Sequence, residues 1–314
     1  MNLDFRIEFQ PQLAEEAVLR AMANHPEESL FRQERDRLYE GADGEDRERA
    51  FQDLHHRWLN RLGLIDPLRQ VLAAWPILAT ATGSCLLTKA RSKKAVGAEL
   101  YVAPQQPEPR ERRTIVIQLT PELLSQSQPF LNFLRHELLH VVDMLHPDFG
   151  YEPDFPKTNA GPAFDHFLQS RYSVLWDITI DGRLHQNGWL PAAAREKHWA
   201  IFQRMFQGAE AKLAEAFSHF FDEKKPAHRE LMDFAQHPEK WLDAAPAENS
   251  SNGRALKGRC AICQFPTFQL IAPSELRAEF VTKIQEHYPA WNGTEPVCRQ
   301  CVDLYEAKLH VSNG

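Results

Sequence analysis

The run FLRHELLHVVDMLHP sets His136 and His140 four residues apart, with Glu137 beside the first. Residues at this spacing share one face of an α-helix, so both imidazoles can converge on a single cation while the carboxylate projects beside them. Zinc suits such a set, because three protein ligands leave a position for a water whose pKa falls to about 7. Glu137 would take that water's proton during attack on a carbonyl and pass it to the leaving amine. Phe130, Phe133, Leu134, Leu138, Val141, Val142 and Leu145 make the surrounding helix apolar over most of its surface. Imidazoles and a carboxylate in so apolar a setting need partners.

A third ligand must come from elsewhere, and three residues compete for it. Asp177 lies in LWDITIDGRL with Asp181 four residues on, inside a run otherwise rich in Trp176, Ile178 and Ile180. Two carboxylates there are costly unless paired or metal-bound. The alternation also fits a strand, but residues four apart share a face in either conformation. His146 follows the helix directly, and His166 lies in GPAFDHF beyond a Pro/Gly-rich loop. Asp143 falls on the histidine face, either orienting a ligand or standing as a solvated helix-end charge. Tyr151, Tyr172, Arg183 and His185 are candidates to stabilise an oxyanion.

The His136-Glu137-x-x-His140 motif resembles that of the zincin metallopeptidases, over about Leu86 to Trp199. Gluzincin families take the third ligand from a downstream helix as a glutamate, followed four residues later by an aspartate that hydrogen-bonds a ligand histidine. Asp177 and Asp181 match that spacing with Asp in place of Glu, which makes Asp181 an outer partner. His146 stands where metzincins place their last ligand, but Asp143 replaces the glycine of that pattern and Met205 lies in a helical run. His166 would echo the SprT/Spartan-like peptidases. In zincins a sheet edge strand precedes the catalytic helix and pairs with substrate, and RTIVIQL stands in that place here.

CAIC (Cys260, Cys263) and CRQC (Cys298, Cys301) are two C-x-x-C knuckles near the C-terminus. Four thiolates suit a closed tetrahedral zinc site, and so short a module needs one to fold. It resembles a zinc ribbon, and its place behind a zincin domain is similar to the SprT/Spartan layout. Cys85 faintly echoes the ligand cysteine of peptide deformylases, but it reads as a small core residue. His55 and His56 have no acidic or cysteine partner at ligand spacing and read as packing or surface residues.

The elements that must position these groups follow from periodicity. PQLAEEAVLRAM, ESLFRQERDRLYE and RAFQDLHHRWLNRL are amphipathic helices, and DPLRQVLAAW opens another with Asp66 as cap and Pro67 at its first position. SCLLTKA, GAELYVA and RRTIVIQL read as short strands of a small antiparallel sheet. Thr120 and Pro121 then restart helix before the histidines. Further helices run through AREKHWAIFQRMF, EAKLAEAFSHFF and AHRELMDFAQ, and AAPAENSSNGRALKGR is a linker. The domains expected are a helical region 1–84, a zincin-like domain 85–245, a linker 246–258 and a zinc module 259–314.

With 314 residues, 43% apolar and 25% charged, composition is that of a folded protein of more than one unit. A formal charge of -7 argues against a generic nucleic-acid binder. Only KARSKK and RERR form basic clusters, and the cysteine tail is nearly charge-balanced, so a link to DNA has weak support. No leader or membrane span is visible, which places the chain in the cytoplasm and its cysteines on metal rather than in disulfides. The expectation is an α+β zinc-dependent peptidase acting on proteins or peptides, with one catalytic and one structural zinc. The alternative is a non-catalytic adaptor in which the histidine site is a structural clip.

Overall fold

A computed structural model of the chain describes residues 5–41, 44–103, 105–106, 108–155, 162–223, 226–242, 256–262, 266–288 and 291–303. It forms two compact units, Met1–Tyr151 with Ile180–Ala194, and Glu152–Thr179 with Arg195–Gly314. The class is mixed α+β.

The first unit is a four-stranded sheet covered by helices. Strands β1 (Arg6–Phe9), β2 (Ser84–Lys89), β3 (Gly97–Val102) and β4 (Arg113–Leu119) are ordered β1-β2-β4-β3. The sheet is mixed and not antiparallel throughout: β1, β2 and β4 run parallel, and only β3 is antiparallel to its neighbour. Cys85, Leu87, Ile115, Ile117 and Leu119 alternate onto one face and are fully buried. That face must be covered, and the N-terminal helices cover it.

Those helices are α1 (Pro11–Met22), α2 (Glu28–Gly41), α3 (Gly44–Arg61), α4 (Asp66–Ala74) and α5 (Ile77–Ala81). Leu13, Val18, Trp58 and Leu68 share one core with Cys85, Ile115 and Leu134. The core therefore runs across residue 84, joining the helices before it to the sheet after it. β1 also begins the sheet inside a region that reads as helical. Asp66 is the first residue of α4 and not its cap, which is Ile65. At α6 (Pro121–Leu124) the expectation holds, since Thr120 accepts a hydrogen bond from the Leu123 N–H.

Helix α7 (Ser127–Leu145) carries the histidines. Phe130, Leu134, Leu138 and Val141 are fully buried in the same core. His146 caps its C-terminus and Pro147 prevents continuation. Helix α8 (Pro162–Gln186) runs through TrpAspIleThrIleAsp without a break. Leu175, Trp176, Ile178, Thr179 and Ile180 are all buried, so this helix is covered nearly all round and loses the 3.6-residue signature.

The second unit contains α9 (Ala193–Met205), α10 (Glu210–Asp222) and α11 (His228–Gln236), joined through Phe202, Phe206, Phe217, Phe220 and Phe234. His219 links two of these helices: Nε2 lies 2.5 Å from Glu230 and Nδ1 2.7 Å from Glu223. Burial pulls its pKa down, but the hydrogen bonds to Glu230 and Glu223 outweigh this and raise it above 6.5. The sign follows: the stabilisation is fully present below pH 6.5 and is lost as pH rises through the higher folded value. His219→Gln should flatten the dependence of thermal stability on pH in that window, measured by thermal melts across it.

Strands β5 (Leu256–Arg259), β6 (Pro266–Ile271) and β7 (Val297–Cys298) with α12 (Ala278–His287) form a small antiparallel module in the same unit. Its core of Cys260, Ile262, Phe280, Ile284, Trp291 and Val297 includes Leu168 of α8. The module thus shares its core with α8. Most of the expected linker, residues 246–255, lies outside the described residues. Among the described residues, no helix is long and apolar enough to cross a membrane.

Candidate metal centre

α7 buries its leucine face and leaves His136, Glu137 and His140 half-buried on another. The two imidazole rings lie 5.1 Å apart, one turn from each other. His136 Nδ1 sits 2.7 Å from Asp181 Oδ1. An ionised carboxylate only accepts, so Nδ1 carries the proton and donates, which makes Nε2 the ring atom that could take a metal.

Asp177 stands one turn before Asp181. Both lie on α8, four residues apart, so the helical rise carries Asp177 to the same face as Asp181. One donor atom each from His136, His140 and Asp177 all lie within 4.8 Å of one another. Two imidazoles and a carboxylate at that separation are a donor set that could hold a divalent cation of the zinc type.

His146 and His166 are not in this group. His146 Nδ1 instead accepts the Asp148 backbone N–H at 3.3 Å, a local turn that follows from its position as helix cap. His166 is exposed and lies against Ser170 one turn along α8.

Asp143 is not a solvated helix-end charge. It is buried and takes both arms of Arg183, with Nη1 2.7 Å from Oδ1 and Nη2 2.5 Å from Oδ2. A carboxylate near a helix C-terminus opposes the helix dipole, and the guanidinium offsets this. The sequence signal was available, since Asp143 is three residues from His140 and Arg183 two from Asp181, but nothing local says that they meet. Arg183 is therefore committed to Asp143, and Tyr172 to His228, its hydroxyl 2.7 Å from Nδ1. Both candidates for oxyanion stabilisation have structural work. Tyr151 is half-buried, and burial raises its phenol pKa, so it remains a donor. His185 is on the last turn of α8, four residues from Asp181.

Glu137 faces the sheet. The Ala98 backbone N–H of β3 donates to its Oε2 at 3.1 Å, and a Cβ on Gly97 would lie 3.5 Å from the same atom. The strand beside the motif helix is therefore β3. RTIVIQL, expected at the edge, is β4, flanked by β2 and β3 with Ile115 and Ile117 fully buried. The edge is β3 because it returns antiparallel after β2 and pairs outside β4, a long-range choice that strand composition does not encode.

In an antiparallel pair, alternate residues turn their amides outward. Ala103 N–H bonds the Arg112 carbonyl and Ala98 N–H bonds Glu137, so the odd residues face β4 and Ala98, Leu100 and Val102 face the open side. Among the described residues no strand pairs with that side.

A second donor group comprises Cys260, Cys298 and Cys301, whose sulfurs also converge within 4.8 Å. The Cys298 N–H points at Cys260 Sγ (3.2 Å) and the Cys301 N–H at Cys298 Sγ (3.4 Å), which favours the thiolate form. Cys263 lies outside the described residues. Cys85 is fully buried in the sheet and burial pushes its thiol up to about 12, so it is an inert core residue. His55 is buried between Phe31 and Phe51, and His56 stacks edge-on against Phe9, as packing residues do. No protein family, curated protein or solved structure matches the chain.

Proposed function

We propose that the chain is a zinc-dependent peptidase of zincin type, with zinc held by His136, His140 and Asp177 and a second, structural zinc on Cys260, Cys298, Cys301 and Cys263. The observation that carries this reading is the position of Glu137, beside the ligand histidine and hydrogen-bonded to the outward amide of an edge strand. When bound, zinc supplies a Lewis acid that activates a water and polarises a carbonyl. Glu137 removes the proton from the attacking water and delivers it to the amine nitrogen as the C–N bond breaks. Asp181 holds the His136 ring in the tautomer that presents Nε2. The outward amides of β3 extend the sheet by one substrate strand, so main-chain hydrogen bonds align the scissile peptide with Glu137.

Chelation and reconstitution test the reading. Cleavage of a denatured protein should stop when zinc is stripped and return when it is restored. Asp177→Ala should lose the catalytic zinc while the cysteine-bound zinc stays, as measured by elemental analysis. A chain that holds both zinc ions and cleaves nothing would instead be the non-catalytic adaptor.

A further inference from the structure

The connection from β2 to β3 carries Arg91, Lys93 and Lys94, all exposed, with no acidic residue between Lys89 and Glu99. Lys89 is engaged with Glu16 at 2.6 Å, but among the described residues Arg91, Lys93 and Lys94 have no ion-pair partner. In a chain of net charge -7 this is a local excess of three positive charges.

Its position gives it meaning. The loop ends at Gly97, which lies against the Glu137 carboxylate. Lys94 is three residues from Gly97. At no more than about 3.6 Å per residue, its Cα is within about 11 Å of that glycine. The turn of 3-10 helix at Lys93–Ala95 shortens the span further. A strand laid along β3 advances about 3.3 Å per residue, so Lys94 stands within about three residues of that end of the strand, with Lys93 and Arg91 further along the same short loop. Glu99 is the next acidic residue along the chain, and it projects from the sheet face opposite Ala98 and Leu100, which pack on the core.

Resting on the peptidase reading, we infer that the preferred substrates are extended segments with acidic side chains on the side of the scissile bond that runs past the N-terminal end of β3. Arg91, Lys93 and Lys94 are the specificity-determining residues. A nucleic acid is the less favoured occupant. It needs several phosphate contacts along a stripe, and the other basic cluster is committed: Arg110 to the Thr82 carbonyl, Arg112 to that of Gln106 and Arg113 to that of Ala81.

The test uses the zinc-loaded full chain and internally quenched peptides in which a Glu pair is walked along an uncharged sequence, each matched to a Gln–Gln control. Glu at the positions over the loop should raise kcat/KM about tenfold, from three exposed ionic contacts of ordinary strength. Anisotropy of the same peptides on the Glu137→Gln variant should show the same preference in binding, and it should fade as salt shortens the screening length to about 3 Å. In R91Q/K93Q/K94Q the acidic and neutral peptides should become equivalent in both readouts. Equal cleavage of all peptides by the wild-type chain would overturn this inference and leave the peptidase reading standing. No cleavage of any peptide, with none bound by Glu137→Gln, would overturn both. If the triple variant instead lost binding to an oligothymidylate and kept its peptide preference, the loop would be a nucleic-acid contact and the inference would be overturned.

Discussion

Glu137→Gln should lower peptide cleavage by about 10²- to 10⁴-fold while the chain keeps its fold and both zinc ions. Gln has the same shape, and its amide oxygen can still accept the Ala98 N–H that Glu137 Oε2 accepts at 3.1 Å. What it loses is the ability to take a proton from water and return it to the leaving amine. His136, His140 and Asp177 are untouched, so zinc content by elemental analysis should equal that of the wild type. Thermal stability should change little, because Glu137 is half-buried and its one resolved contact survives. The variant therefore separates proton transfer from metal binding, as His136→Ala or His140→Ala cannot. Turnover by Glu137→Gln at the wild-type rate would eliminate Glu137 as the base and leave the cluster as a structural clip.

Breaking the Asp143–Arg183 pair should cost about 3–5 kcal/mol of stability, the range for removing one member of a buried ion pair. Asp143 and Arg183 are 6% and 13% exposed in their side chains, so Asp143→Ala strands a guanidinium with little access to water. The pair ties the end of α7 to the last turns of α8, the two segments that also make the His136–Asp181 contact. Zinc affinity at the histidine site should accordingly drop by about 10- to 100-fold in either single variant, as when the outer partner of a metal ligand is lost. The double variant Asp143→Leu/Arg183→Met removes both charges and should be less destabilised than Asp143→Ala alone. Denaturant unfolding and zinc competition across this cycle measure the coupling. Additive single effects would mean that the pair is incidental.

The histidine helix and its partners differ in how much of their arrangement is written into local sequence. His136, Glu137 and His140 lie within about one helical turn of one segment: the spacing of the histidines fixes a common face, and the apolar residues around them fix burial. Asp177 and Asp181 share a face in helix or strand, so their pairing survived an ambiguous pattern. The alternation of Trp176, Ile178 and Ile180 looks like a strand because α8 is buried on nearly all sides there, and a helix without a wet face has no helical signature. β1 is only four residues long and gains its identity from the parallel register of Ile7 with Cys85, far along the chain. The helices before residue 84 share their core with a sheet formed later in the sequence, which their own periodicity does not show.

Local chemistry, then, was determined by the order of residues alone: which imidazoles share a turn, which carboxylates stand four apart, which cysteines form knuckles, and which loop gathers lysines. Tertiary structure decided the rest. It set Asp181 against His136, gave Asp143 to Arg183, and put β3 rather than β4 at the open edge beside Glu137. The physical reason is range. Helical periodicity and i, i+4 neighbours are set within one or two turns, whereas strand order and buried ion pairs depend on which distant surfaces must be covered together.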